Sequence, residues 1–148
     1  MATTADSPVF IDTNVLVYAN VAESPLNRSA VEAIETRYNA GIELWISRQV
    51  LREFIATVTR PQAFSAPRPI ATVIDRVRFF QDRFRLAEET AQVTENLLRL
   101  LQQIPTGGRQ VHDANIVATM QANGVRCLLT HNTADFQRFS ALIKVIPL

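Results

Sequence analysis

Four acidic residues stand at the edges of apolar segments, and they are the strongest chemical signal in this chain. They are Asp12, Glu53, Asp113 and Asp135. Carboxylates rarely lie close to a protein core unless something pairs with them. If the fold brings the four together, their repulsion must be offset by protonation, by arginine or by a bound cation, and such hard oxygen ligands suit Mg²⁺ or Mn²⁺. The four residues therefore predict metal-assisted hydrolysis, in which they are both catalytic residues and metal ligands.

Each acid also has a purely structural explanation. Asp113 could favour a helix N-terminus through the helix dipole, and Asp12 could form an Asx turn. Asp135 could form a capping-box-like turn with Asn132, and Glu53 could pair with a nearby arginine. The arginines in question are Arg48, Arg52 and Arg60. Any one of these explanations accounts for its own residue, but the four acids together are harder to explain in this way.

Strands and helices alternate along the chain, which favours a parallel sheet covered by helices. Apolar strands are predicted at residues 9–11, 43–46, 84–87, 127–130 and 144–146. Helices are predicted directly after residue 12 and at residues 29–39, 48–60, 69–80, 90–103 and 112–121, with a short helical turn at 132–139. We therefore predict a three-layer α/β/α fold with a central, mostly parallel sheet, in which residues 1–148 form a single domain.

This arrangement places the acids near one edge of the predicted sheet. In open parallel sheets, residues just beyond the carboxyl ends of the strands line the crevice where ligands bind. Asp12 ends the first strand and Asp135 closely follows the fourth, whereas Glu53 and Asp113 lie in the first turns of helices. Asp113 also occupies the apolar stripe of its helix, where an apolar residue is expected. We expect all four side chains to share one rim.

Several other classes of protein are disfavoured by the sequence. Cys127 is the only cysteine, so no intrachain disulfide can form. Residues 1–8 lack a basic region and no apolar run is long enough to span a bilayer, so we expect neither a signal peptide nor a membrane segment, and a cytoplasmic location. His112 and His131 lack zinc-ligand spacing, and the chain has neither a phosphate-binding glycine loop nor a serine-nucleophile elbow. No cofactor other than a divalent cation is expected.

Arginine supplies nearly all of the positive charge. The formal net charge of +1 neither favours nor excludes a nucleic-acid partner. Lys144 is the only lysine among the 15 basic residues, and arginine can bind phosphate through two parallel hydrogen bonds. Arginine usage is therefore compatible with an RNA partner, although solvated arginine is also ordinary on protein surfaces.

Four segments resemble the motifs of PIN-domain nucleases. Residues 11–16 (IDTNVL) resemble the opening motif, and residues 50–54 (VLREF) resemble the second acidic helix. Residues 112–118 (HDANIVA) resemble the Asp-Ala-x-Ile-Ala-Ala helix, and residues 129–136 (LTHNTADF) resemble the closing Thr-x-Asn-x-x-Asp-Phe element. The order, spacing and compact size are similar to those of the VapC toxins of VapBC toxin-antitoxin pairs.

The resemblance implies an endoribonuclease that depends on Mg²⁺ or Mn²⁺ and hydrolyses RNA phosphodiester bonds. Such a protein is often a homodimer, and a cognate VapB-like antitoxin of the type II toxin-antitoxin pair holds it inactive. The family's acidic quartet matches Asp12, Glu53, Asp113 and Asp135, and its polar supporting positions match Thr13, Asn14, Thr130 and Asn132. The chain departs from the family where Asn115 replaces an apolar residue and where the proline-rich residues 61–69 could reshape the substrate groove.

Two other functions stay open at this point. The first is a metal-dependent phosphatase that acts on small molecules. An Asp-x-Asp motif would be its signature, but Asn14 stands where the second acid should be, which disfavours covalent phosphoryl transfer. The second is a non-catalytic PIN-like module whose cleft only holds a partner chain, and absence of divalent-ion binding would favour it.

Overall fold

Five parallel strands form the central sheet of the computed structural model, which describes residues 7–148. The strands are β1 (Val9–Ile11), β2 (Leu44–Ser47), β3 (Arg85–Ala87), β4 (Cys127–Thr130) and β5 (Lys144–Pro147). Their order across the sheet is β3-β2-β1-β4-β5, and each neighbouring pair is parallel. The central strand β1 is buried at all three positions, which is why its sequence is continuously apolar.

Helices connect the strands in the alternation that the sequence predicts. They are α1 (Thr13–Asn20), α2 (Asn27–Asn39), α3 (Arg48–Val58), α4 (Ile70–Arg83), α5 (Ala91–Gln103) and α6 (Gln110–Ala122), followed by a 3₁₀ helix at Thr133–Phe139. Helix α1 packs on α2 and α3, α3 also contacts α4, and α5 packs on α6. The predicted α/β fold with a parallel sheet is confirmed.

The first turn of α6 begins earlier than the sequence pattern predicts. The helix starts at Gln110 rather than at residue 112. The N–H groups of Gln110 and Val111 donate to the carbonyls of Gly107 and Gly108, so a tight turn leads directly into the helix. Asp113 still lies in the first turn of α6, as predicted, at the end of the helix where a carboxylate is favoured by the dipole.

One contiguous apolar core joins the sheet to the helices. Its largest fully buried side chains include Phe10, Phe54 and Phe80. The rings of Phe54 and Phe80 meet edge to face with their centroids 5.0 Å apart, which joins α3 to α4. Within residues 7–148, no helix combines the length and the apolar character needed to cross a bilayer. The expectation that the chain has no signal peptide concerns residues 1–8, and residues 1–6 lie outside the described part of the chain.

Candidate active site

Asp12 lies at the carboxyl end of β1, where it also begins α1. Its backbone N–H donates to the carbonyl of Leu129 in β4 over 3.0 Å, which extends the sheet by one residue. The Oδ1 atom accepts a hydrogen bond from the backbone N–H of Thr13 (2.8 Å) and so caps the helix. The Oδ2 atom accepts from Asn14 Nδ2 (2.9 Å) and from Thr130 Oγ1 (2.8 Å). Asp12 is therefore held by three donors from two neighbouring elements.

Burial determines the protonation behaviour of Asp12. The side chain is only 5 % exposed, and this desolvation raises the pKa of its carboxyl group above the ordinary value. Hydrogen bonds from Thr130, from the Thr13 backbone and from Asn14 act in the opposite direction, while the charge of Glu53 raises the pKa further. The polar residues around Asp12 thus favour the ionised form in a place where burial opposes it.

Glu53 projects from α3 toward the same region. The prediction that it lies in the first turn of its helix is wrong, because α3 begins at Arg48 and Glu53 is its sixth residue, in the second turn. Its Oε2 atom accepts a hydrogen bond from the hydroxyl of Thr13 (2.7 Å), and its Oε1 atom accepts from Gln49 Nε2 (2.8 Å). Thr13 thereby links two of the acids, because its backbone bonds to Asp12 and its side chain bonds to Glu53.

The arginines near Glu53 pair with other acids. Within residues 7–148 the ion pairs are Arg28–Glu32, Arg48–Glu88, Arg52–Glu89, Arg68–Glu23, Arg83–Glu35 and Arg85–Glu43. None of these pairs includes a member of the acidic quartet, so the explanation of Glu53 as the partner of a neighbouring arginine is wrong. The negative charge of the quartet is left without a direct arginine partner among the described residues.

Asp113 shows most directly that the four acids lie near one another. It is half-buried in the first turn of α6. Burial, followed by the negative charges of Asp12, Asp135 and Glu53, raises the pKa of the Asp113 carboxyl group to about 7, and the positive charge of Arg138 opposes this rise. The contributions of Asp12, Asp135 and Glu53 to this shift indicate that the charges of the other three predicted acids reach Asp113, although burial is the larger cause.

A cleft of about 250 Å³ opens above three of these acids. Asp12, Glu53 and Asp113 line it, and so do the polar residues Thr13, Asn14, Thr57, Gln62 and Asn132, together with Val17 and Tyr18. Asp135 is exposed on the 3₁₀ helix and does not line the cleft, although its charge reaches Asp113. The cleft is therefore polar, open to solvent and lined by acids that come from distant parts of the sequence.

Asn132 lines the cleft, and its backbone bonds to the buried Thr130 at the end of β4. The backbone N–H of Asn132 donates to Thr130 Oγ1 over 3.0 Å. In a capping box this N–H would donate to the side chain of Asp135, so that explanation of Asp135 is wrong. The fully buried Thr130 hydroxyl accepts this bond while it donates to Asp12, and Asn14 also reaches it over 3.3 Å.

Comparison with known proteins places these features in a family. Residues 9–142 match the model of the PIN domain. The chain belongs to the PIN domain family. Ribonuclease VapC48 of Mycobacterium tuberculosis is 27 % identical over 134 residues, which cover 88 % of this chain and 91 % of the relative.

Solved structures show the same fold as this PIN domain. A toxin-antitoxin complex from Klebsiella pneumoniae superposes with a TM-score of 0.65 and 23 % identity, over 95 % of this chain and 96 % of the other. VapC20 of Mycobacterium tuberculosis, described as a toxin that cleaves the sarcin-ricin loop, superposes with a TM-score of 0.63 and 18 % identity. That superposition covers 90 % of this chain and 94 % of VapC20. The resemblance to PIN-domain proteins stated from the sequence motifs is confirmed.

The carboxylates of this PIN domain have the right chemistry for a hard divalent cation, but they do not yet surround one. Nucleases with PIN domains generally need a divalent metal ion. In the part of the chain that the structure describes, no three acidic, histidine or cysteine side chains are grouped closely enough to hold a metal ion. The oxygens of Asp12 and Glu53 face protein hydrogen-bond donors instead. Burial and, after it, the negative charges of Asp12, Asp135 and Glu53 raise the pKa of Asp113, and a cation would offset these charges.

Sequence reasoning missed Gln49, which contacts one member of the quartet. This glutamine is only 5 % exposed and donates to Glu53 and to the carbonyl of His112. Its oxygen accepts a hydrogen bond from Asn115, the residue that departs from the family pattern. Two signals were available in the sequence. Gln49 lies four residues before Glu53 on the same helix face, and Asn115 is a polar residue where the family pattern has an apolar one.

Proposed function

We propose that this protein is a metal-dependent endoribonuclease that hydrolyses RNA phosphodiester bonds. The observation that carries the proposal is that three carboxylates, those of Asp12, Glu53 and Asp113, line one cleft, while the charge of Asp135 reaches Asp113 from outside it. Like charges placed this near one another cost free energy in the absence of a cation. The names of its relatives, Ribonuclease VapC48 and the RNA-cleaving toxin VapC20, support RNA as the substrate.

Magnesium or manganese is the proposed cofactor, held by Asp12, Glu53, Asp113 and Asp135. A bound divalent ion would supply charge neutralisation at the phosphate and a lower pKa for an attacking water. Carboxylate oxygens are the ligands that these two ions prefer. The same four acids are the proposed catalytic residues.

The supporting polar residues hold the acids in place in this proposal. Thr13, Asn14 and Thr130 donate to Asp12 or Glu53 and keep both groups oriented toward the cleft. Asn132 lines the cleft and is free to contact RNA with its side chain. Asp135 is a better candidate than Glu53 to accept the proton of the attacking water, because both Glu53 oxygens already accept hydrogen bonds.

We further propose that the protein is the toxin of a type II toxin-antitoxin pair, bound by a VapB-like antitoxin. The structural likeness to a toxin-antitoxin complex from Klebsiella pneumoniae supports this role. A homodimer, a cytoplasmic location and a single domain over residues 1–148 belong to the same proposal. The one contiguous core that runs through residues 9–143 supports the single domain.

Cleavage of structured RNA by the purified protein in the presence of Mn²⁺ tests the proposed activity. The wild type should cut RNA, and the Asp12→Asn and Asp113→Asn variants should each lose at least a hundredfold in rate, because each removes a negatively charged ligand. Asp75→Asn is the matched control, since Asp75 is an exposed aspartate of α4. Equal trace activity in the wild type and in both site variants would indicate a contaminating nuclease and would contradict the proposal.

Two further assays separate the alternatives. Hydrolysis of p-nitrophenyl phosphate without RNA cleavage would favour the small-molecule phosphatase. Calorimetry that detects no binding of Mn²⁺ or Mg²⁺ would favour the non-catalytic module.

The toxin role has a test of its own. The product of the adjoining gene should be a small DNA-binding protein that forms a complex with this chain and inhibits RNA cleavage. The absence of such a protein would contradict the toxin role but not the proposed nuclease activity.

A further inference from the structure

Gln49 is a buried amide whose hydrogen-bonding groups are fully used. It lies in the first turn of α3 with 5 % exposure. Its Nε2 atom donates to Glu53 Oε1 over 2.8 Å and to the His112 carbonyl over 2.9 Å. Its Oε1 atom accepts a hydrogen bond from Asn115 Nδ2 over 2.8 Å. Both N–H groups and the oxygen of this amide therefore have partners, as a buried polar group requires.

These bonds connect α3 to the first turn of α6. His112 and Asn115 flank Asp113, so Gln49 bonds to the residues on both sides of that acid while it also holds the carboxylate of Glu53. The partners are 63 and 66 residues away in the sequence. One side chain thus fixes the relative position of two helices that each carry an acid of the cleft.

An uncharged donor is well suited to this position. Gln49 orients the carboxylate of Glu53 without neutralising it, whereas an arginine or a lysine there would compete with a cation for the same oxygens. The negative charge that attracts a divalent ion is therefore kept, and its direction is fixed by the amide. Residues that hold metal-binding carboxylates in this way affect metal affinity although they do not touch the metal.

We infer that Gln49, anchored by Asn115, is a positioning residue that sets the spacing between the carboxylates of Glu53 and Asp113 for a shared divalent cation. This inference rests on the proposed metal-dependent function. It assigns to Gln49 and Asn115 a role in metal affinity in addition to their contribution to the stability of the fold.

The chain contains a matched comparison for a purely structural role. Asn96 in α5 is 6 % exposed, donates to the carbonyl of Ala118 in α6 over 3.1 Å and accepts from Gln92 over 2.9 Å. It is also a buried amide that joins α6 to a neighbouring helix, but neither Asn96 nor Gln92 lines the cleft. Loss of the Asn96 amide should therefore weaken the fold without changing the metal site.

The test compares Gln49→Met and Asn96→Leu with the wild type. Urea unfolding of the metal-free proteins gives stability, and titration calorimetry with Mn²⁺ alone gives metal affinity without any activity measurement. Both variants should unfold at lower urea concentrations. Only Gln49→Met should bind Mn²⁺ more weakly, by about tenfold, and at saturating Mn²⁺ it should lower the kcat for RNA cleavage more than it raises the KM.

Asn115→Ala is the second variant, in case Gln49→Met does not fold. It leaves the bond between Gln49 and Glu53 in place and removes only the anchor, so we expect a loss of about threefold in Mn²⁺ affinity, smaller than for Gln49→Met. Unchanged Mn²⁺ affinity in whichever of the two variants folds, or an equal loss of affinity in Asn96→Leu, would overturn the inference alone. A wild type that binds no Mn²⁺ and cuts no RNA would overturn the proposed function and this inference with it.

Discussion

The Asp113 carboxyl group destabilises the metal-free fold as the pH rises. Its pKa is raised from 3.8 to about 7, chiefly by burial and then by neighbouring acids. Between about pH 4 and pH 7, the unfolded chain has released this proton while the folded chain keeps it, so the free energy of unfolding falls as pH increases through that range and is constant above it. With allowance for the solvent screening of a half-buried group, the contribution is about 2 kcal/mol.

Replacement of Asp113 by asparagine should remove this pH dependence. We expect the free energy of unfolding of Asp113→Asn, relative to the wild type, to increase by about 2 kcal/mol between pH 4 and pH 8. Urea unfolding without divalent ions measures this difference. The exposed Asp75 of α4 supplies the control, since Asp75→Asn should follow the wild type across the same range. A constant difference between Asp113→Asn and the wild type would show that the pKa of Asp113 is not raised in the folded protein, either by burial or by the other acids.

Thr130 is the second residue for which we expect a definite effect, because substitution removes its hydroxyl group. It is fully buried, donates to Asp12 and accepts from the backbone of Asn132. Thr130→Val keeps the shape but leaves Asp12, the Asn132 backbone and the Asn14 side chain each with one bond fewer, so we expect a loss of about 2 kcal/mol in stability. The rate of RNA cleavage should fall by about tenfold or more, because Asp12 loses a positioning donor.

Thr119 provides the comparison for Thr130. It is 1 % exposed, but its hydroxyl bonds only to the Asn115 carbonyl, one turn earlier in the same helix. Thr119→Val should cost less than about 1 kcal/mol, because that carbonyl is part of the ordinary hydrogen-bonding pattern of a helix. If both variants lost equal stability and equal activity, the contact between Thr130 and Asp12 would have no special importance.

Secondary-structure elements followed from local sequence patterns, whereas the contacts between them did not. The strand at residues 9–11 and the Ser47 cap of α3 are visible as an apolar run and as a polar residue before a helical stripe, and the structure shows both. Prediction of the cleft requires knowledge of which helices pack against each other, and local sequence patterns do not supply it. Gln49 and Asn115 are 66 residues apart, so no local pattern reveals that they share a hydrogen bond. Asp113 was detectable because its charge conflicts with the apolar stripe.

The junction between α6 and β4 depends on the backbone conformation of Gly124. This residue has φ of +68°, in the left-handed region, and follows the helix that carries Asp113. A Cβ atom there would meet no atom within 4 Å, so Gly124→Ala should destabilise the fold through backbone strain alone, by about 1 kcal/mol. Gly107 also has free space around it but has no positive φ. Gly107→Ala should therefore leave the stability unchanged or raise it by about 0.5 kcal/mol. Chemical denaturation of the two variants would distinguish backbone strain from a steric clash of the added Cβ atom.

The four acids come near one another only when the whole domain is folded. Asp12 follows β1, Glu53 lies on α3, Asp113 on α6 and Asp135 on the 3₁₀ helix. The unfolded chain cannot present them together, so the proposed cation, bound at the cleft, would stabilise the folded state by mass action. It would also offset the negative charges that add to the effect of burial on the pKa of Asp113. The proposed function therefore predicts that metal binding and global stability are coupled.

Calorimetric melting with and without Mn²⁺ measures that coupling. At a Mn²⁺ concentration about a hundred times the Kd, we expect stabilisation of about 2.7 kcal/mol and a rise of roughly 8 °C in Tm for a chain of this size. The Mn²⁺-induced rise in Tm should be largely lost in Asp113→Asn, although without metal this variant is more stable than the wild type at pH 8. The reason is that the negative charge of Asp113 opposes folding but attracts the cation. A purely structural role for Asp113 does not predict a variant that is more stable without metal and whose Tm rises less when Mn²⁺ is added. Equal Mn²⁺-induced rises in the wild type, Asp113→Asn and Asp75→Asn would show instead that the ion binds away from the cleft.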